Sequence, residues 1–165
     1  MIVAAVAAVT LTRGPVVESV TKRSAAISFR TSVPAHAFVV LRNGVRIDAG
    51  TGIEHVARLI RLTPGARIAY TVEARSVALA NGRFRTAPAG ASTFTFAVVG
   101  DFGSGTRNET AVVSLIESWH PDFVLTVGDN AYPEGSSALL DRDLATPLAP
   151  LDSAVPPARL GVSDR

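Results

Sequence analysis

Three oxygen-bearing side chains stand just after two apolar segments of the sequence. Asp101 follows the segment 94–99, and Asp129 and Tyr132 follow the segment 122–127. Each segment has the apolar, β-branched and aromatic composition of a buried strand. Open α/β sheets bind their ligands at the carboxyl ends of their strands, where these three side chains would lie. Because carboxylate and phenolate oxygens are hard donors, the pattern indicates a metal site.

The residues between the two segments predict a helix that connects the two strands. Four apolar side chains recur at helical spacing, and we expect them to pack on the sheet: Val112, Leu115, Ile116 and Trp119. Thr106 and Glu109 have the spacing of a capping box, and Pro121 ends the helix. A strand, a helix and a strand within about 30 residues predict a βαβ unit with parallel strands and a right-handed crossover. Asp101 and Asp129 would then leave the same edge of the sheet.

The sequence before residue 93 predicts an all-β sandwich. Asn43 and Gly44 form a typical hairpin turn. Short apolar or alternating runs, separated by turn residues, predict strands at 16–20, 25–30, 37–41, 45–47, 55–62, 67–74 and 83–86. The predicted domains are an apolar segment at 1–12, the sandwich at 13–87, a linker at 88–92, a partial α/β domain at 93–143 and an irregular tail at 144–165.

The composition of the 165-residue chain argues against several classes of function. It has no cysteine, which excludes disulfides and thiolate metal sites. Its formal charge is +2, Lys22 is the sole lysine, and the arginines are scattered, so no basic block favours nucleic-acid binding. The apolar residues at 1–9 are too few to span a bilayer. They resemble a secretory signal core without its positive start, and the alternative is a leading strand or a misplaced start codon.

The sequences Gly-Asp-Phe-Gly at 100–103 and Gly-Asp-Asn-Ala-Tyr at 128–132 resemble the first two blocks of the calcineurin-like metallophosphoesterases. With a tyrosine three residues after Asp129, the second block resembles that of the purple acid phosphatase branch. Members of this branch often carry a fibronectin type III-like domain at the N-terminus. Leu-Thr-Pro-Gly at 62–65, followed by Tyr70, also resembles the tyrosine corner of fibronectin type III domains. The expected fold is therefore an all-β fibronectin type III-like sandwich followed by the first βαβ unit of an α/β metallophosphoesterase domain.

This resemblance implies a two-metal site that hydrolyses phosphate monoesters. Asp101 would bind the first metal, usually ferric iron, Asp129 would bridge both metals, and Tyr132 would bind the first metal as a phenolate. The second metal would be iron, zinc or manganese. Two cations about 3.5–4 Å apart polarise a phosphate ester and activate a water for in-line attack. The implied substrate is a small phosphate ester, and the resemblance and the apolar start favour a secreted or periplasmic location.

The same resemblance implies ligands that this sequence lacks. The family has Gly-Asn-His and Gly-His-x-His blocks further along, whereas the histidines here are His36, His55 and His120, without those neighbours. We expect them at the surface or at sheet edges. The chain is thus expected to be a C-terminally truncated member with little or no activity on its own. The alternative is a non-catalytic fibronectin type III-like binding or spacer module that carries a vestigial βαβ piece.

Other interpretations of the same residues are weaker. Asp101 or Asp129 taken singly is a common turn residue. Gly-Ser-Gly at 103–105 lacks the Gly-Lys-Ser/Thr ending of a phosphate-binding Walker A loop. Asp-Phe-Gly at 101–103 also occurs in protein kinases, but no His-Arg-Asp sequence is present.

Overall fold

The chain folds into a curled β-sheet followed by a smaller part that contains strands and helices. A computed structural model describes residues 7–145 and 147–148. The curled sheet consists of β1 (Leu11–Glu18), β2 (Ala25–Leu41), β3 (Arg46–Leu59), β4 (Arg67–Ala74) and β5 (Val77–Arg85). The smaller part consists of β6 (Phe96–Val99), α1 (Arg107–Ser118), β7 (Phe123–Thr126), α2 (Ser137–Leu140) and a π turn (Asp141–Ala145). Residues 1–6 of the predicted apolar segment, and 146 and 149–165 of the predicted tail, lie outside the described residues.

β2 and β3 are long strands that belong to both layers of the curled sheet. β2 pairs with β3 along most of its length, whereas its other edge pairs first with β1 and then with β4. The sequence predicts two separate strands here, at 25–30 and 37–41, and this prediction is wrong. Thr31 and Ala35 are buried and Val33 packs against the core, so the chain stays extended between the two predicted strands. A register shift between Arg30 and Ala35 accompanies the change of partner strand.

The core of the sandwich lies between these layers. Its fully buried apolar side chains come from alternate positions of the strands and include Val17, Ile27, Phe29, Val39, Leu59 and Val72. Complete burial of a side chain of this size contributes about 1.5–3 kcal/mol. Tyr70 is also buried and packs across Gly82 of β5, where a β-carbon would overlap its ring. Its role as a tyrosine corner stays a prediction.

His55 is buried, so its predicted exposure at the surface is wrong, but it does lie at a sheet edge, because β3 pairs only with β2 in the described part of the chain. Its ring stacks on Phe29 with centroids 4.8 Å apart, and its Nε2 lies 3.0 Å from the Thr31 hydroxyl. Thr31 donates its own proton to the Val33 carbonyl at 2.9 Å. With that proton directed to Val33, the Thr31 oxygen can accept a hydrogen bond from the Nε2–H tautomer of His55, which satisfies one of the two ring nitrogens.

The smaller part is built around β6 and β7, which pair in parallel, with α1 between them in the chain. One face of this two-stranded sheet is covered, and its buried apolar cluster comprises Ala97, Phe102, Val113, Ile116, Val124 and Leu148. Successive strand residues point to opposite faces. Phe96 and Val98 accordingly point away from the cluster and are exposed, although the sequence predicts a buried strand.

Helix α1 buries a narrower face than the sequence predicts. Ile116 is buried as expected, together with Val113, but Val112, Leu115 and Trp119 are 42%, 52% and 56% exposed. The prediction that all four residues of the stripe pack on the sheet is therefore wrong for three of them. Two strands about 4.8 Å apart are narrower than a helix about 10 Å wide, so they cover one stripe of it. None of the helices in the described ranges is long and apolar enough to cross a membrane.

Candidate metal centre

The tertiary structure brings together the three side chains that the sequence predicts as metal ligands. The Tyr132 hydroxyl donates to the carboxylates of Asp101, at 2.8 Å, and Asp129, at 3.1 Å. All three side chains are exposed to solvent. Two carboxylates and one phenol oxygen therefore converge on a single point at the surface.

The parallel register of β6 and β7 explains why the two aspartates meet. Val99 lies opposite Thr126, and the Val127 N–H donates to the Val99 carbonyl at 3.0 Å. Asp101 and Asp129 leave their strands two and three residues after this last pair. The loop after β7 then returns to the loop after β6.

Gly103 joins the two loops. Its carbonyl accepts a hydrogen bond from the Tyr132 N–H at 3.3 Å. Its backbone lies so close to the other loop that a β-carbon would overlap the Asn130 carbonyl and lie 2.8 Å from the Ala131 nitrogen. Its φ of +106° is also one that favours glycine. The sequence motif contains this glycine, but the close approach follows only from the folded structure.

Both aspartates have left-handed backbone conformations, with φ of 51° at Asp101 and 49° at Asp129. Aspartate is several-fold enriched in this region because its short polar side chain can bond locally. Non-glycine residues held there cost about 1–3 kcal/mol and cluster at functional sites. The conformation turns each carboxylate sharply out of the strand direction, toward the shared phenol.

The carboxylates raise the pKa of Tyr132 above its ordinary value. The largest cause is the hydrogen bond to Asp101, followed by desolvation of the phenol and the hydrogen bond to Asp129, because each favours the protonated form. The phenol is therefore protonated at neutral pH, and its single proton is shared between two acids. A cation at this point would compete directly with that proton.

Glu109 organises the loop between Asp101 and helix α1. Its Oε2 accepts hydrogen bonds from the Gly105 N–H at 2.8 Å and from the Ser104 hydroxyl at 3.3 Å, and its side chain is buried. Thr106 is the N-cap residue but makes no side-chain capping bond. The predicted capping box is therefore wrong. Glu109 accepts a hydrogen bond from the N–H of Gly105, the residue before the N-cap, rather than from the N–H of Thr106.

The donor set fits one side of a metal centre. Asp101, Asp129 and Tyr132 supply oxygens suited to iron and manganese, and zinc also accepts carboxylate. Within residues 7–145 and 147–148, no group of three or more His, Cys, Asp and Glu side chains is arranged to hold a metal. His55 is buried in the sandwich, and His120 stands beyond the C-terminal end of α1, a helix about 18 Å long, whereas Gly105 precedes its N-terminal end. The sequence-predicted oxygen ligands are thus together, without a nitrogen ligand beside them in these ranges.

Comparison with known proteins was made at the levels of sequence and fold. No family model matches the sequence, and no curated protein matches it. The structure is similar to that of PhoD, with a TM-score of 0.63 and 18% identity over 90% of this chain. The match covers 38% of PhoD, so this chain spans well under half of that protein.

Two further matches cover about half of the chain. One is the fibronectin type III domain derived from the human KIAA0970 protein, with a TM-score of 0.38, 14% identity, and coverage of 52% of this chain and 77% of that domain. The other is the sensor domain of the anti-sigma factor RsgI4 in Pseudobacteroides cellulosolvens, with a TM-score of 0.39, 13% identity, and coverage of 49% of this chain and 94% of that domain.

Proposed function

We propose that this chain is part of a metal-dependent phosphoric ester hydrolase of the purple acid phosphatase-like type. Its parts would be a fibronectin type III-like sandwich and the first βαβ unit of the metallophosphoesterase domain, with Asp101, Asp129 and Tyr132 as metal ligands. The observation that carries the proposal is the Tyr132 hydroxyl held between the two carboxylates. The likeness to PhoD supports the fold on which the proposal depends.

The proposed ligands divide the work of metal binding between them. Asp101 and Asp129 concentrate negative charge at one point, and the shared phenol proton keeps their oxygens close in the metal-free state. Tyr132 would give up that proton on metal binding and supply a third oxygen. The metals, iron with iron, zinc or manganese as its partner, would supply the polarisation of a phosphate monoester and the activation of water. The chain's own residues would hold and orient the cations.

We infer that the nitrogen ligands of a complete centre come from polypeptide outside this sequence. The chain has His36, His55 and His120 only, and it spans 38% of PhoD. Hydrolysis of phosphate esters is therefore proposed for the complete domain, and we expect little turnover from this chain alone. A secreted or periplasmic location is proposed on the same resemblance.

Ferric iron provides a direct test, because an iron-bound phenolate has a visible charge-transfer absorption. We expect the purified chain to bind Fe³⁺ with this absorption, and Tyr132→Phe to abolish it. Tyr70→Phe is the matched control, since Tyr70 is the other tyrosine and lies in the sandwich core. If the absorption is absent from the native chain, or survives in Tyr132→Phe, the proposed ligand set is wrong. The alternative, a non-catalytic binding or spacer module, would then be favoured.

A further inference from the structure

We propose that the sandwich positions the loop that carries Asp101 through an ionic latch at Asp141. The latch is defined as Asp141 with Arg13 of β1 and Arg30 of β2. The inference rests on the proposed function for its biological meaning, since the positioned loop is the one that would hold the metal. The contacts themselves stand independently of any metal.

The latch joins the two parts of the chain by charge. Asp141 Oδ1 lies 3.2 Å from Arg13 Nη1, and Asp141 Oδ2 lies 3.6 Å from Arg30 Nη1. Glu54 of β3 contacts the same two arginines, at 2.5 Å and 3.2 Å. Two arginines and two carboxylates therefore form one network of ion pairs. The Asp141 side chain is only 18% exposed, so its ion pairs with Arg13 and Arg30 are better shielded from water than those of Glu54, which is 58% exposed.

The segment that begins at Asp141 also contacts the loop before helix α1. A β-carbon on Gly105 would lie 2.8 Å from Asp143 Oδ1, so the Asp143 carboxylate rests against the backbone of that loop. Asp143 is fully buried and is held by both Arg142 Nε and Arg142 Nη2. The hydrogen bonds from Arg142 also lower the pKa of Asp143, which keeps that carboxylate charged.

Apolar contacts fix the same segment from its other side. Leu140, the residue before Asp141, packs against the buried cluster of the smaller part. Phe102, the neighbour of Asp101, belongs to that cluster. The π turn is therefore held by the sandwich at Asp141 and lies against the site loop at Gly105. Asp141 is in this sense a positioning residue, because it acts on Asp101 through other groups.

Amide hydrogen exchange of the full metal-free chain tests the latch, since exchange reports local opening. Asp141→Asn should speed exchange of the Gly105 and Tyr132 amides about fivefold, because these amides bond within the positioned loops. Asp141→Glu should restore slow exchange, since it keeps the charge. Glu117→Gln, which removes the same charge from helix α1, is the matched control and should leave both amides unchanged.

The sandwich amides show whether the substitution destabilises the whole chain, because general destabilisation would speed their exchange as well. Exchange at Val39 and Val72, in the sandwich core, should stay as in the native chain. An unchanged rate at Gly105 and Tyr132 in Asp141→Asn would overturn the inference, and so would equal acceleration in the sandwich and the loops. If the native chain does not bind Fe³⁺, the proposed function is refuted, but the exchange result on the metal-free chain is unaffected. The two failures are therefore distinguishable.

Discussion

The Tyr132 hydroxyl lies 2.8 Å from Asp101 Oδ1, although 31 residues separate the two in the chain. The same hydroxyl reaches Asp129, so one proton holds two carboxylates that would otherwise repel each other. The proposed cation would replace the proton at this point. The relationship also makes the site testable without substrate, through metal affinity, proton release and local stability.

Substitution of either aspartate should abolish strong metal binding. Loss of an outer-shell partner costs about 10–100-fold in metal affinity, so we expect Asp101→Asn or Asp129→Asn to cost at least about 100-fold. Isothermal titration with Mn²⁺ measures the change. Asp48→Asn, an exposed acid of the sandwich paired with His36, is the matched control. Equal affinities in all three variants would show that the metal binds elsewhere.

Metal binding should release the Tyr132 proton. The carboxylates raise the pKa of Tyr132, so the free chain holds the proton throughout the neutral range, whereas a phenolate ligand has lost it. Affinity should therefore rise with pH, by about tenfold per unit for one released proton. Titration in buffers of different ionisation enthalpy counts the protons. Tyr132→Phe should release one proton fewer, and an identical count in both proteins would contradict a role for the phenol.

Gly103→Ala should destabilise the smaller part of the chain. The new methyl group would overlap the Asn130 carbonyl, and φ of +106° is unfavourable for alanine, so we expect a cost of about 1–3 kcal/mol or more. Hydrogen exchange of the α1 and β7 amides measures it. Gly90→Ala is the control, because a β-carbon there meets nothing within 4 Å. Similar exchange in the two variants would mean that the loops separate easily.

Thr31→Val should destabilise the sandwich by about 1–3 kcal/mol, because it leaves the buried His55 N–H without an acceptor. Urea unfolding measures the change, and Thr51→Val at an exposed position of β3 is the control. The double variant Thr31→Val with His55→Leu removes both polar partners and should recover most of the loss. A double variant less stable than Thr31→Val alone would contradict this account of the pair.

Local sequence patterns anticipated much of the framework. Alternating apolar residues predicted β4 at its observed bounds, Arg67–Ala74, and the helical spacing between the apolar segments predicted a helix where α1 lies. The motif residues Asp101, Asp129 and Tyr132 were identified because they follow apolar segments. Each of these features depends on residues close together in the chain, so the sequence alone carries the signal.

Exposure and long-range partners were not predictable in this way. Trp119 and Leu115 have the spacing of core residues, yet they are exposed because the sheet beneath α1 has two strands among the described residues. His55 is polar, yet it is buried because Thr31 and Phe29 accommodate it. In both cases, the outcome depended on what packs against the side chain, which local periodicity does not contain.

The sequence by itself identified the candidate oxygen ligands and the strands that precede them. Only the tertiary structure decided that Tyr132 bonds both aspartates, that Gly103 meets the Asn130 backbone, and that Asp141 ties this region to Arg13 and Arg30. The physical reason is that hydrogen bonds and ion pairs act over a few ångströms of space. Distances of that size between residues far apart in the chain exist only after strand register and packing have been established.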